Sequence, residues 1–113
     1  MAISAADIDA WQAELAGKGP QSIVKFALTH CPNLCLSFSG AEDVVLIDMA
    51  VKSKLPFRVF TLDTGRLHAE TYRFLDTVRT HYGITLEVCY PEAEAVRELK
   101  KKKGFLIYLM VTI

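Results

Sequence analysis

Two short clusters carry the residues best suited to chemistry. In Ser37-Phe38-Ser39-Gly40-Ala41-Glu42-Asp43, two hydroxyl donors and small residues sit just ahead of an apolar helical pattern. That arrangement suits an oxyanion such as phosphate or sulfate. The backbone can approach closely at Gly40, which can take a positive φ, and a following helix points its free N–H groups back at the loop. Asp43 would repel an anion placed directly beside it, so its expected role is to shape the loop or meet a sugar hydroxyl. The plainer alternative is a strand-to-helix turn capped by serine. The second cluster, Leu62-Asp63-Thr64-Gly65-Arg66, places a planar guanidinium beside a flexible turn. Arg66 can hold a phosphate or sulfate through two parallel hydrogen bonds. Asp63 can orient a ribose hydroxyl or fix the turn, Leu62 offers an apolar face to a base, and Gly65 permits close approach. Here the alternative is a turn in which Asp63 caps its own backbone and Arg66 is a solvated charge.

Strands and helices must bring these clusters together. Residues 4–16 predict a helix, with Ser4 and Asp7 spaced as a capping box and Ile8, Trp11 and Leu15 on one face. Pro20 suits the first turn of a second helix through about residue 29. Both helices are expected to pack across the core. Short apolar runs at 34–38, 57–62 and 84–88 predict strands, separated by helical patterns at 42–52 and 70–82; a charged helix follows at 92–103. In the 70–82 helix Tyr72, Leu75 and Val78 are the expected apolar anchors, with Gly83 as its cap. Strand–helix alternation predicts an α/β fold with a parallel sheet and right-handed crossovers. Continuous apolar runs predict strands buried on both faces. In such sheets ligands sit outside the carboxyl ends of the strands, where both clusters fall.

Composition narrows the possibilities. With 113 residues the chain forms one domain. Its 51% hydrophobic and 23% charged content is that of a globular protein. Lysine plus arginine equals aspartate plus glutamate, at 13 each, which argues against nucleic-acid or acidic-membrane binding. The longest apolar stretch, 105–113, is about half the roughly 20 residues that span a bilayer. Three cysteines without a framework suit a reducing, cytoplasmic compartment. Cys31, Cys35 and Cys89 are expected to pack as small apolar residues, since no metal-ligand spacing joins them. Neither a G-x-G-x-x-G dinucleotide fingerprint nor a Walker-type loop is present. His68 is expected to be structural or exposed, His30 and His81 to sit at helix ends, and the lysines at 100–103 to form a solvated helix terminus.

The run S-F-S-G-A-E-D-V-V-L resembles the variant PP-loop of the APS/PAPS (adenylyl-sulfate and phosphoadenylyl-sulfate) reductase family. L-D-T-G-R-L-H-A-E-T-Y resembles that family's second signature. The related ATP pyrophosphatases prefer S-G-G-x-D-S. Ala41 and Val44 depart from that pattern and fit the reductase branch. The resemblance covers residues 34–104. It implies a Rossmann-like, three-layer fold of the adenine nucleotide alpha-hydrolase type. It also implies binding of APS, PAPS or AMP by Ser37, Ser39, Gly40, Asp43, Leu62, Asp63, Thr64, Gly65 and Arg66. The family's activity, as the resemblance implies it, is thioredoxin-dependent reduction of APS to sulfite and AMP in sulfate assimilation and cysteine biosynthesis.

A nucleophilic cysteine and the cysteine ligands of a [4Fe-4S] cluster, both part of that family pattern, match no residue here. The expectation is therefore a nucleotide-binding domain at 1–104 that is inactive alone. Residues 105–113 then form an apolar tail from truncation or frameshift, with a final edge strand as the alternative. PAPS reduction, an ATP-splitting adenylating enzyme and a non-catalytic fragment that self-associates through its tail are the other readings. A homo-oligomer is compatible with each.

Overall fold

The computed structural model describes residues 2–105. Helix α1 (Ala5–Leu15) begins with the expected reciprocal cap. The Ser4 amide donates to Asp7 Oδ2 at 3.0 Å, and the Asp7 amide donates to Ser4 Oγ at 3.1 Å. Two orphan donors of the first turn are thereby satisfied. Helix α2 (Pro20–His30) starts on its proline. The expectation that both helices cross the core is corrected for α1, none of whose residues is buried. Instead Trp11 meets Phe26 of α2 edge-to-face at 5.7 Å. That contact occupies Trp11 on the neighbouring helix, while Ile8 of the same stripe stays exposed. Helix α2 buries Val24 and packs along the next helix, α3 (Val44–Ser53).

Strands β1 (Cys35–Ser37), β2 (Arg58–Leu62) and β3 (Leu86–Cys89) form a parallel sheet in the order β1-β2-β3. Leu36 pairs with Val59, and Val59 with Leu86. Helix α3 connects β1 to β2, α4 (Ala69–Tyr82) connects β2 to β3, and α5 (Ala93–Lys103) follows β3. This is the α/β, Rossmann-like arrangement that the alternating pattern predicts. The core gathers Phe38, Ile47 of α3, Val59 of β2 and Val78 of α4. Helices α3 and α4 thus cover the sheet face that carries Val59.

Strand burial departs from expectation. Along β2, Val59 and Thr61 are buried, whereas Arg58 and Leu62 are exposed and Phe60 is half-buried. Successive side chains of a strand point to opposite faces, so the second face is open to solvent. That face carries an ion pair at its amino end and the exposed Leu62 at its carboxyl end. Arg58 Nε and one terminal nitrogen donate to the two Glu87 oxygens at 2.8 and 2.6 Å, a diagonal cross-strand pair. Cys89 is exposed rather than buried, and Cys31 and Cys35 are half-buried. Paired with Leu62, Cys89 falls on the open face of the sheet, where no helix among the described residues offers it anything to pack against.

Gly83 closes α4 in the left-handed region at φ 62°, as its position predicts. Lys54 takes the same conformation after α3, at φ 61°. No helix among the described residues is long and apolar enough to cross a membrane. The expectations for the tail at 106–113 lie outside the described residues. Phe105 is exposed, with the Lys100 ammonium 5.6 Å from its ring centroid.

Candidate functional site: two loops on one rim

Parallel pairing decides where the two clusters go. Strands β1 and β2 run the same way and lie side by side, about 4.8 Å apart. The Phe38 amide donates to the Phe60 carbonyl at 2.8 Å, and the Asp63 amide donates to the Cys89 carbonyl at 2.9 Å, so the ladder continues just past the strand ends. The loops at 38–43 and 63–68 therefore leave the same carboxyl edge from neighbouring strands. The buried Phe38 ring roots the first loop and stacks on Phe74 of α4 at 5.9 Å. Ser37 and Ser39, on either side of it, are exposed.

The first loop is folded around its own carboxylate. Asp43 Oδ2 accepts from the Ser39 amide at 2.7 Å, from the Ser39 hydroxyl at 3.0 Å and from the Gly40 amide at 3.0 Å. The Ser39 amide, then that of Gly40, holds the Asp43 carboxyl below its ordinary range, with a smaller contribution from the Ser39 hydroxyl. Of the two roles expected for Asp43, shaping the loop is the one its contacts perform. The Ser39 hydroxyl, expected to face a ligand, is turned to Asp43. Gly40 corrects a second expectation. Its φ is −146°, extended backbone open to any residue, and a Cβ added there would meet nothing within 4 Å. The fold itself therefore places no requirement for glycine at this position. A single 3-10 turn (Ala41–Asp43) precedes α3, so the first helical N–H groups lie immediately after this loop.

In the second loop Asp63 fixes the turn. Its Oδ1 accepts from the Gly65 amide at 2.7 Å and from the Tyr72 hydroxyl at 2.8 Å. Gly65 lies at φ 81°, where glycine is favoured. Tyr72 was expected as an apolar anchor, but its hydroxyl is engaged and the residue is 38% exposed. The Asp63 hydrogen bond, followed by desolvation and the Asp63 charge, pushes the Tyr72 phenol above its ordinary value. Sequence gave one weak signal for this pair, an acid at a strand end and a tyrosine one turn into the next helix. Arg66 is exposed and makes no hydrogen bond or ion pair among the described residues. Leu62 is 47% exposed at the end of β2, Thr64 is half-buried, and His68 serves α4 through its backbone carbonyl.

A cleft of about 240 Å³ opens on this rim beside α4, between Asp63, Tyr72, Val88 and Tyr90. Two larger concavities lie elsewhere, one at the amino ends of β2 and β3 and one between α1 and the end of α2. Among the described residues no three His, Cys, Asp or Glu side chains group to hold a metal ion.

Residues 33–108 match the family model of the phosphoadenosine phosphosulfate reductase domain. An adenosine 5'-phosphosulfate reductase from Pseudomonas aeruginosa is 52% identical over 103 residues, which are 90% of this chain and 39% of that protein. A probable chloroplastic 5'-adenylylsulfate reductase from Oryza sativa is 45% identical over 92% of this chain and 22% of its own length. The chain thus spans well under half of these relatives. The crystal structure of a phosphoadenylyl-sulfate (PAPS) reductase from Candida auris, a phosphate complex, matches with a TM-score of 0.78. Its identity to this chain is 28%, over 96% of this chain and 54% of that one.

Proposed function

Because the chain belongs to the phosphoadenosine phosphosulfate reductase domain family, we propose that its rim binds adenylyl sulfate for a thioredoxin-dependent reduction to sulfite and AMP in cytoplasmic sulfate assimilation. The observation that carries this reading is the convergence of residues 38–43 and 63–68 on one edge, with the Arg66 guanidinium uncommitted there. Arg66 receives the phosphosulfate oxygens, and the Ser37 hydroxyl with the backbone around Gly40 and Ala41 lines the opposite side. Leu62 lies under the base, and Thr64 and Gly65 let the chain pass close to the sugar. Asp43 and Asp63 hold the two turns and touch no anion.

The reduction needs a thiolate that attacks the sulfur, expelling AMP. Thioredoxin's dithiol then releases sulfite and is itself oxidised to a disulfide, supplying the two electrons. No residue of this chain matches that nucleophile, so the chain alone binds the nucleotide without reducing it. A [4Fe-4S] cluster, which the family implies, does not fit the residues described. Cys31, Cys35 and Cys89 sit on separate elements with no fourth ligand beside them, and no step here runs through a cluster. The Candida auris likeness favours PAPS as the second reading.

Titrating the chain with APS, PAPS and ATP tests the proposal. Saturable binding of APS, no turnover of ATP and no sulfite in the presence of thioredoxin are the expected results. Failure of every adenine nucleotide to bind would sink it, and cleavage of ATP to AMP and pyrophosphate would replace it with an adenylating enzyme. Gly40 supplies a sharper check. Gly40→Ala leaves the melting temperature unchanged, since its methyl meets open space. It weakens APS binding about fivefold, because that same space is where the ligand must lie. Unaltered affinity would show that the loop does not approach the ligand at Gly40.

A further inference from the structure

Helix α4 touches the roots of both loops. Phe74 stacks on Phe38 beneath the first, and the Tyr72 hydroxyl donates to Asp63 in the second. Val78, buried in the core, fixes the helix to the sheet. The Tyr72 contact is the polar one, and its acceptor is shared: the same Asp63 oxygen takes the Gly65 amide at 2.7 Å. Gly65 in turn sets the direction in which the backbone enters Arg66, because its φ of 81° reverses the chain there.

Resting on the nucleotide-binding reading above, we propose that Tyr72 is a positioning residue for the ligand: through Asp63 and Gly65 it sets where the Arg66 guanidinium stands. The physical reason is restriction of side-chain rotation. A carboxylate held by Gly65 alone can turn about its Cβ and let the turn open. With Tyr72 as a second donor, anchored on a packed helix, it keeps one orientation. An arginine on a fixed turn loses less freedom when it grips an anion, and the ligand binds more tightly for that reason.

The test uses the full chain and AMP as the probe. Tyr72→Phe keeps the ring and removes the donor. It is expected to weaken AMP binding about fivefold with an unchanged melting temperature. In an Arg66→Ala background the same change should have no further effect, because Tyr72 acts through Arg66. The Gly65 amide resonance should move in Tyr72→Phe while that of Gly40 stays in place.

Should Tyr72→Phe fail to fold, a ring-fluorinated tyrosine at position 72, chosen so that its phenol ionises near neutral pH, keeps the shape. Its AMP affinity relative to that of the natural chain at the same pH, a ratio in which the ionisation of AMP's own phosphate cancels, should fall as pH rises through that ionisation, and a constant ratio overturns the proposal. A phenolate cannot donate to Asp63, and Asp63 and Tyr90 are the titratable groups whose charge acts on this phenol. Equal affinity of Tyr72→Phe and the natural chain overturns the proposal and leaves the nucleotide reading standing. A fivefold loss that persists in the Arg66→Ala background overturns it as well. Absence of AMP binding by the natural chain overturns the nucleotide reading, and this inference with it.

Discussion

Arg66→Ala lowers the affinity for adenylyl sulfate by about tenfold to a hundredfold, the range for losing hydrogen bonds to a charged group. The chain melts where it did before. Both halves of this result follow from one observation: Arg66 is exposed and has no partner among the described residues. A side chain that holds nothing in the folded protein costs nothing to remove, so the whole effect falls on the ligand. Arg66→Lys should recover only part of the binding, because an ammonium lacks the planar fork that meets two oxygens at once. Calorimetric titration with APS, together with a thermal melt of each variant, reads both quantities. Wild-type affinity in Arg66→Ala would remove Arg66 from the site and leave the family assignment intact.

Asp43→Ala is expected to weaken APS binding by more than tenfold. Two effects oppose each other. Deleting the carboxylate removes a negative charge near the anion, a gain of about 0.7 kcal/mol at roughly 6 Å in water. It also releases the three hydrogen bonds that order residues 39–43. Re-fixing backbone on binding costs about 1–2 kcal/mol for each residue, so even two loosened residues outweigh the charge. Folding itself suffers less, by about 1 kcal/mol or below, since the loop is solvent-screened and resembles a helix cap.

The pH dependence carries the same signature. The Asp43 carboxyl is lowered in the folded chain, with the Ser39 and Gly40 amides as the main causes. Its contribution is therefore complete above the unfolded value near 3.8 and is lost as pH falls through the lower, folded value. The amide resonances of Ser39 and Gly40 should report that acid transition, and Asp43→Asn should abolish it. A transition that survives in Asp43→Asn would assign the ionisation to another group.

Local rules explain what could be read in advance. Ser4 and Asp7 spell a cap whose donors and acceptors lie within one turn, and Gly83 marks a left-handed stop; neither needs a distant partner. The parallel sheet follows from alternation, and the placing of both loops on one edge follows from the sheet. The motifs at 37–43 and 62–72 were legible because each is a contiguous run of specific residue types, readable without any distant partner.

What sequence left undecided depends on neighbours remote in the chain. Whether Asp63 met a ribose or its own turn turned on Tyr72, nine residues away across a loop. Whether a strand was buried on one face or two turned on which helices reach the sheet, so apolar β2 still exposes Leu62. Trp11 looked like a core residue and found Phe26 on the adjacent helix instead. By itself the sequence determined the order of elements and the rim on which both loops fall, because caps, turns and strand alternation are short-range constraints. Only the tertiary structure decided which polar groups on that rim are spent holding the loops and which, like Arg66, stay uncommitted among the described residues. Hydrogen-bond partners across a loop are chosen by three-dimensional packing, which spacing along the chain does not encode.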